Sequence, residues 1–528
     1  MFPYVQVGEP STMANTSKYQ VNLDALIPRA DLFETAAPVI KKTQSIRLSD
    51  LGPGPIYDML RKPDFQRETS NWNPKQVTKL IETFVKDDII PAVILWQNGN
   101  QIFVVDGAHR LSALAAWVRD DYGGGSESLA FFKGKIPDPQ QTMHEEAREL
   151  VNSQIKPWTD HQTNHAILQM REIVVQWLDS TNAEQAADAF IRINQGGTVI
   201  DPLEVRILRA KRSALSVATR VISHGGTGHE YWRHFTDANA QDRTPKLGQE
   251  IYKLLFSPTL ELPIKTTDIP LAGFGYGSGV VRLAFDLIGL SNNLAVPDST
   301  KGKGTDVAPS DDTTGTTTIN FLLKTRRAVK LILSNDKLSL GLHPALYFYT
   351  AGGAFQAAAL HNSVACFLDL EKRGKIKDFL AIRGAFESLA IKHPVILKPA
   401  AHKLGSGART RSKMLALFNR AVMLLSQNKN TDKVWQKLKK EFPHLADDEK
   451  EQKEEPNKGT AGAKFSRGAK SAISLINLSG VEKCALCGGL LHKNGKVADH
   501  KVTRSAGGHS GSANARWVHP ACNSNRTG

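Results

Sequence analysis

A chain of 528 residues exceeds what one hydrophobic core serves and implies two to four domains. Its 41% hydrophobic and 23% charged residues are those of a globular chain, and no run approaches the ~18–20 apolar residues of a membrane span. The formal charge of +15 concentrates in residues 457–528, where eleven Lys and Arg face only Glu482 and Asp499. That balance fits a polyphosphate partner such as DNA, although a solvated tail has the same composition.

In chain order, residues 1–43 are polar and irregular, an N-terminal arm without the basic-then-apolar layout of a secretory signal, so a cytoplasmic protein is expected. "NWNPKQVTKLIETFVKDD" predicts a helix. Asn73 caps it, Pro74 suits its first turn, and Val77, Leu80, Ile81, Phe84 and Val85 form one stripe. Two β-rich runs then flank Asn98-Gly99, a two-residue hairpin signal. The second run ends at Asp106-Gly107, and a helix restarts at "HRLSALAAWV". This strand–turn–helix is a candidate phosphate cradle, with helix N–H groups and Arg110 as donors; a plain capped turn reads the same way. "NAEQAADAFIRINQGG" predicts another helix, and "DPLEVRILRAKR" the next, capped by Asp201 with Glu204 reaching back.

Residues 216–445 read as helical, interrupted by a polar loop at 291–318. Residues 446–464 are a charged, then Gly/Ala-rich linker to a C-terminal module, 465–528. Four cysteines make no disulfide framework. Cys366 lies in an apolar helical pattern and reads as a core thiol. Cys484-x-x-Cys487 and His519-x-x-Cys522 form two ligand pairs whose tight turns each aim two side chains at one ion. This donor set suits structural Zn²⁺ and would supply folding free energy to a module of about 60 residues.

Between those pairs stand Asp499-His500, a Gly-Gly loop and Asn514, and Asn523 follows Cys522. The order and spacing resemble the HNH, or ββα-metal, nuclease family, in the variant with Asn for the last His that also occurs in the nuclease lobe of CRISPR effectors. The resemblance covers residues 480–527. It implies His500 as general base, one Mg²⁺ (or Mn²⁺) held by Asp499 and Asn523, Asn514 pinning the loop and Arg526 on phosphate. Such roles suit the chemistry: neutral imidazole accepts a proton near pH 7, and a hard cation stabilises charge on phosphate. His509, between Gly and Ser, reads as a loop residue.

Three blocks in the N-terminal half, "DFQRETSNWNPKQVTKLIETFVKDDIIPAVIL", "VVDGAHRLSAL" and "AFIRINQGGTVIDPLEVRILRA", resemble the ParB-like domain of GmrSD- and SspE-type modification-dependent restriction proteins. The resemblance spans residues 44–215 and implies an α/β nucleotide-binding domain. Gln66 and Arg67 would lie beside its pocket, Asp106, Gly107, His109 and Arg110 would handle phosphates and metal, and Asn194 would complete the site. Ala108-His109 stands where the common form has Gln-Gln, which leaves nucleotide hydrolysis open. Trp72, Phe190 and Ile193 read as core.

The expected fold is multidomain α+β: a ParB-like α/β domain, a mostly α-helical middle and a small zinc-stapled ββα-metal tail. The two resemblances together imply an endonuclease of a phage-defence, modification-dependent restriction system, acting on double-stranded DNA and governed by a nucleoside triphosphate. Two alternatives remain: a non-catalytic zinc-ribbon DNA-binding regulator, and a ParB-like NTPase or kinase whose tail docks DNA.

Overall fold

A computed structural model of the chain describes residues 20–30, 42–63, 72–136, 138–161, 165–179, 185–186, 189, 192–193, 202–264, 267–275, 278–294, 310–398, 408–445, 464–465, 467–476 and 478–526. Gln66, Arg67, Phe190, Asn194 and Asp201 lie outside these residues, as do much of the arm, most of the 291–318 loop and nearly all of the 446–464 linker. Two units are distinguished, Met1–Leu208 with Tyr276–Ser278, and Arg209–Gly275 with Gly279–Gly528. The architecture is mixed α/β, and no helix among the described residues is long and apolar enough to cross a membrane.

The first unit is built on a six-stranded sheet of order β1-β3-β5-β4-β6-β2. Its strands are β1 (Arg29–Ala30), β2 (Ser45–Arg47), β3 (Leu60–Pro63), β4 (Val93–Asn98), β5 (Gln101–Asp106) and β6 (Glu172–Trp177). β1–β3, β3–β5 and β4–β6 pair in parallel, β4–β5 and β2–β6 antiparallel. The strand β5 is apolar from Ile102 to Val105 because both its faces are buried there. Ile102 and Val104 join a core with Val77, Ile81 and Phe84 of the helix Pro74–Val85 and Leu111 and Trp117 of the helix Ala108–Arg119. Phe103 and Val105 pack on the other face with Trp96, Ala186 and Leu208.

The helix Pro74–Val85 begins as its sequence dictates. Asn73 Oδ1 accepts from Gln76 N at 2.9 Å, and Gln76 Oε1 accepts from Asn73 N at 3.0 Å. The hairpin lies one residue later than expected. Asn98 pairs with Gln101, so the loop residues are Gly99 and Asn100, with Gly99 supplying the positive φ of +64° at the first loop position.

In the second unit, helices including Ala214–Ser223, Ala238–Phe256, Thr316–Ile332, Ala357–Lys372, Ile376–Lys392 and Ala408–Gln427 surround one core. Cys366 is buried in it. The polar loop ends before residue 318: Asp312, itself buried, accepts from Gly315 N at 3.1 Å and Thr318 N at 2.7 Å and so starts the helix at Thr316. The tail forms β7 (Val497–His500) and β8 (Ala515–Val518), an antiparallel pair, followed by the short helix Pro520–Ser524. Among its described residues it has no core of its own. Leu490, Leu491, Val518 and Ala521 belong to the same apolar cluster as Leu342, Phe379 and Phe386. So small a segment buries too little surface alone, and the helices supply the rest.

Candidate functional site

Cys484, Cys487, His519 and Cys522 converge, their ligand atoms all within 4.8 Å of one another. Local turns bring them together. Gly488 N donates to Cys484 O at 2.9 Å and Gly489 O accepts from Cys484 N at 2.8 Å, closing the first knuckle, while His519 precedes and Cys522 sits within the helix Pro520–Ser524. His519 Nδ1 lies 3.3 Å from Cys487 Sγ and 3.9 Å from Cys522 Sγ. A tetrahedral Zn²⁺ with thiolate and imidazole ligands requires edges of about 3.5–3.8 Å, so the cluster can hold a metal such as zinc. On the far side of the ring, His519 Nε2 donates to Leu490 O at 2.9 Å, which leaves the Nδ1 lone pair facing the thiols.

Three thiols this close cannot all ionise without a cation among them. Hydrogen bonding from Cys487 holds Cys484 below the ordinary thiol range, and the same bond pushes Cys487 up to about 11; Cys522 is raised by its bond to Cys484. A divalent ion reverses this balance, so metal uptake must release protons.

The knuckle rests on the helix Ile376–Lys392. Gly384 N donates to Cys487 O at 3.0 Å, and Glu387 Oε2 accepts from Leu490 N at 2.6 Å. Arg383 Nε donates to Glu387 Oε1 at 2.7 Å, Tyr347 Oη donates to the same oxygen at 3.1 Å, and the Arg383 guanidinium also reaches Leu340 O and Gly341 O. Burial lowers Arg383, but Glu387, Cys487, Tyr347 and Cys522 together outweigh it and hold the guanidinium above its usual range. On the other half, Ala521 N donates to Ser339 O at 2.9 Å and Ser524 Oγ to Lys337 O at 2.8 Å.

β7 carries Asp499 and His500 between the two ligand pairs. In the hairpin register Asp499 faces Arg516 and His500 faces Ala515. Asp499 is only 7% exposed and is held by two guanidiniums. Arg516 Nε donates to Asp499 Oδ2 at 2.9 Å, and Arg526 Nη1 lies 3.2 Å from both carboxylate oxygens. Arg526 also donates to His500 O and Lys501 O. The half-buried His500 imidazole makes no hydrogen bond among the described residues. Buried Asn514 ties the loop from both sides: Oδ1 accepts from Val502 N at 2.7 Å, and Nδ2 donates to Val502 O and His509 O. His509 is exposed and accepts from Gly511 N. Asn523 is exposed on the helix Pro520–Ser524, its side chain without a hydrogen bond among the described residues. A carboxylate and an amide suit a hard cation, yet both Asp499 oxygens already serve arginines.

In the first unit Asp106, Gly107, His109 and Arg110 gather at the junction of β5 and the helix Ala108–Arg119. Gly107 adopts φ +94°, and a Cβ there would stand 2.5 Å from Val93 Cγ1. Arg110 Nη2 donates to Asp106 Oδ2 at 2.7 Å and to Ala92 O at 3.1 Å. The His109 ring stacks on Trp72 with centroids 5.4 Å apart, and Trp72, like Ile193, is partly buried against a core. Gln66, Arg67 and Asn194 lie outside the described residues, so the described part of this site is its Asp-Gly-Ala-His-Arg turn.

Three residues went unnoticed in the sequence. Arg516 is visible only once the strand register is known. Arg383 and Glu387 did leave a signal, an i, i+4 charge pair inside the otherwise apolar stretch "FLAIRGAFESLAI".

Residues 48–211 match the model of a family described as the GmrSD restriction endonuclease, N-terminal domain. A search of curated proteins and one of solved structures found no match. The matched stretch supports a restriction endonuclease-type defence protein with DNA as substrate.

Proposed function

We propose that the chain is a DNA endonuclease of a modification-dependent restriction system. Its tail, an HNH-type ββα module, hydrolyses phosphodiester bonds, and its ParB-like N-terminal domain binds a nucleoside triphosphate. The observation that carries this reading is the placement of Asp499-His500 on a strand enclosed by the two metal-ligand pairs, with Asn514 fastening the loop that follows.

In this reading His500 takes a proton from water as the water attacks phosphorus and the bond to the leaving oxygen breaks. Its imidazole is free of other hydrogen bonds among the described residues and sits at the end of a fixed strand. Asp499 and Asn523 would hold the divalent cation, which supplies charge stabilisation on the phosphate and leaving group. Arg526, anchored on the carbonyls of His500 and Lys501, keeps the His500–Lys501 backbone in place. The Asp106–Arg110 turn would receive the nucleotide phosphates through the N–H groups of the following helix.

One observation favours a rival. Asp499 bridged by two arginines is also a satisfied structural ion pair, as a zinc ribbon that only binds DNA would have. Incubation of supercoiled plasmid, modified and unmodified, with Mg²⁺ and each nucleoside triphosphate separates the two. Nicking or linearisation by the wild type, lost in His500→Ala, is expected. DNA binding without any cleavage by the wild type would establish the regulator instead.

A further inference from the structure

The Asp499 carboxylate carries one negative charge and faces two guanidiniums, so its immediate surroundings are net positive before any cation arrives. The two arginines are not equivalent. Arg526 is fastened independently, donating to His500 O and Lys501 O as well as to Asp499. Arg516 has Asp499 as its side-chain partner among the described residues, donating from Nε to Oδ2 at 2.9 Å with Nη2 in ion-pair contact with the same oxygen at 2.8 Å. Its side chain is 21% exposed, so it has a way out to solvent. β8 fixes its Cα directly across from Asp499, so swinging the side chain away needs no backbone change.

Resting on the nuclease reading, we infer that Arg516 is an exchangeable counter-ion. It occupies Asp499 Oδ2 in the absence of DNA and transfers to a phosphate of the bound strand, leaving that oxygen with only the longer 3.2 Å contact to Arg526 and open to a divalent cation. The physical reason is charge balance. A divalent ion added to a carboxylate still flanked by two guanidiniums would meet repulsion from both at short range. A phosphodiester removes the Arg516 share of that repulsion by giving this side chain a bidentate anionic partner, while Arg526 stays on its carbonyls. Cation and DNA therefore bind cooperatively, each strengthening the other by the same factor. The ion is held firmly only when there is DNA to cut, and no conformational change beyond one side chain is required.

The test uses the full-length, zinc-loaded protein carrying His500→Ala to block cleavage. Free Mn²⁺ is followed by electron paramagnetic resonance without DNA, and the affinity for a short fluorescent duplex is followed by anisotropy with and without Mn²⁺. Asp499→Ala gives the background from ions associated with DNA. The parent should bind Mn²⁺ weakly alone, and Mn²⁺ should tighten its duplex binding by about tenfold, within the usual range of such couplings. Adding Arg516→Gln should tighten DNA-free Mn²⁺ binding by about tenfold and remove most of that coupling, whereas Arg516→Lys should preserve it. A merely structural arginine would lower stability without tightening the ion. Unchanged Mn²⁺ affinity and unchanged coupling in Arg516→Gln overturn the inference while leaving the cation site standing. If Asp499→Ala matches the parent in every arm, the cation site and this inference fall together.

Discussion

Arg383 and Glu387 lie one helical turn apart, 0% and 2% exposed, and the second carboxylate oxygen of Glu387 receives the amide of Leu490, three residues beyond Cys487. A charge pair inside the helical core thus holds the backbone of the metal knuckle. Glu387→Gln would leave the Arg383 guanidinium buried without its counter-charge, a loss of about 3–5 kcal/mol. Urea unfolding followed by circular dichroism checks this. The double variant Arg383→Leu/Glu387→Leu should recover part of that loss, since neither charge is then stranded.

Because the knuckle and the helices share one apolar cluster, removing the metal should loosen both. A strong chelator, or Cys484→Ser, is expected to destabilise the second unit by at least about 3 kcal/mol. Helical circular dichroism from residues 209–445 should melt earlier, not the tail signal alone. Metal rebinding at neutral pH should release protons, measurable with a pH indicator, because Cys487 and Cys522 start protonated.

Acid should weaken the second unit. Burial holds His343 down to about 3 and His492 to about 4, against an ordinary value of 6.5. The folded chain keeps both neutral where the unfolded chain protonates them. Their contribution is therefore intact above about pH 6.5 and falls by roughly 1.4 kcal/mol per pH unit for each histidine as pH drops toward 4. Neither nitrogen of the His343 ring has a hydrogen-bond partner among the described residues, so His343→Leu should flatten this pH slope. Urea midpoints of the zinc-loaded protein at neutral and acidic pH measure it; an undiminished slope in the variant refutes the assignment.

Asn514 makes three side-chain hydrogen bonds that close the 502–509 loop. Asn514→Ala should leave the metal cluster intact, cost about 1–3 kcal/mol of local stability and reduce any cleavage activity by lowering kcat more than it raises KM. Faster amide exchange confined to 501–511 is the accompanying structural readout.

In the first unit, Gly107→Ala meets Val93 and must hold a left-handed backbone, a loss of at least about 2 kcal/mol. Arg110→Ala should instead fold and weaken nucleoside triphosphate binding. Equal calorimetric affinity in wild type and variant would count against the cradle.

What could be read beforehand follows the range of the interactions. The Asn73 cap, the Cys-x-x-Cys turn and the restart of a helix after Gly107 depend on neighbours within a few residues, and each stands where the sequence places it. The hairpin lies one residue later because Asn98-Gly99 and Gly99-Asn100 both suit such a loop, and only the pairing of Asn98 with Gln101 decides between them. The polar loop is shorter than its composition suggests because Asp312, in sequence like any loop acid, is buried and accepts from Gly315 N and Thr318 N. Glu387 reaching Leu490 spans 103 positions, and Arg516 reaching Asp499 needs a register that no local pattern specifies. The three blocks at residues 64–95, 104–114 and 189–210 all fall within the matched stretch 48–211.

Gly384 and Cys487 meet backbone to backbone, and a single methyl at 384 would come within 2.7 Å of the Cys487 carbonyl. The tail is therefore no detachable cassette. Grafted onto another scaffold it would arrive without its landing pad, and a homologue that exchanged this tail would have to exchange the helix with it.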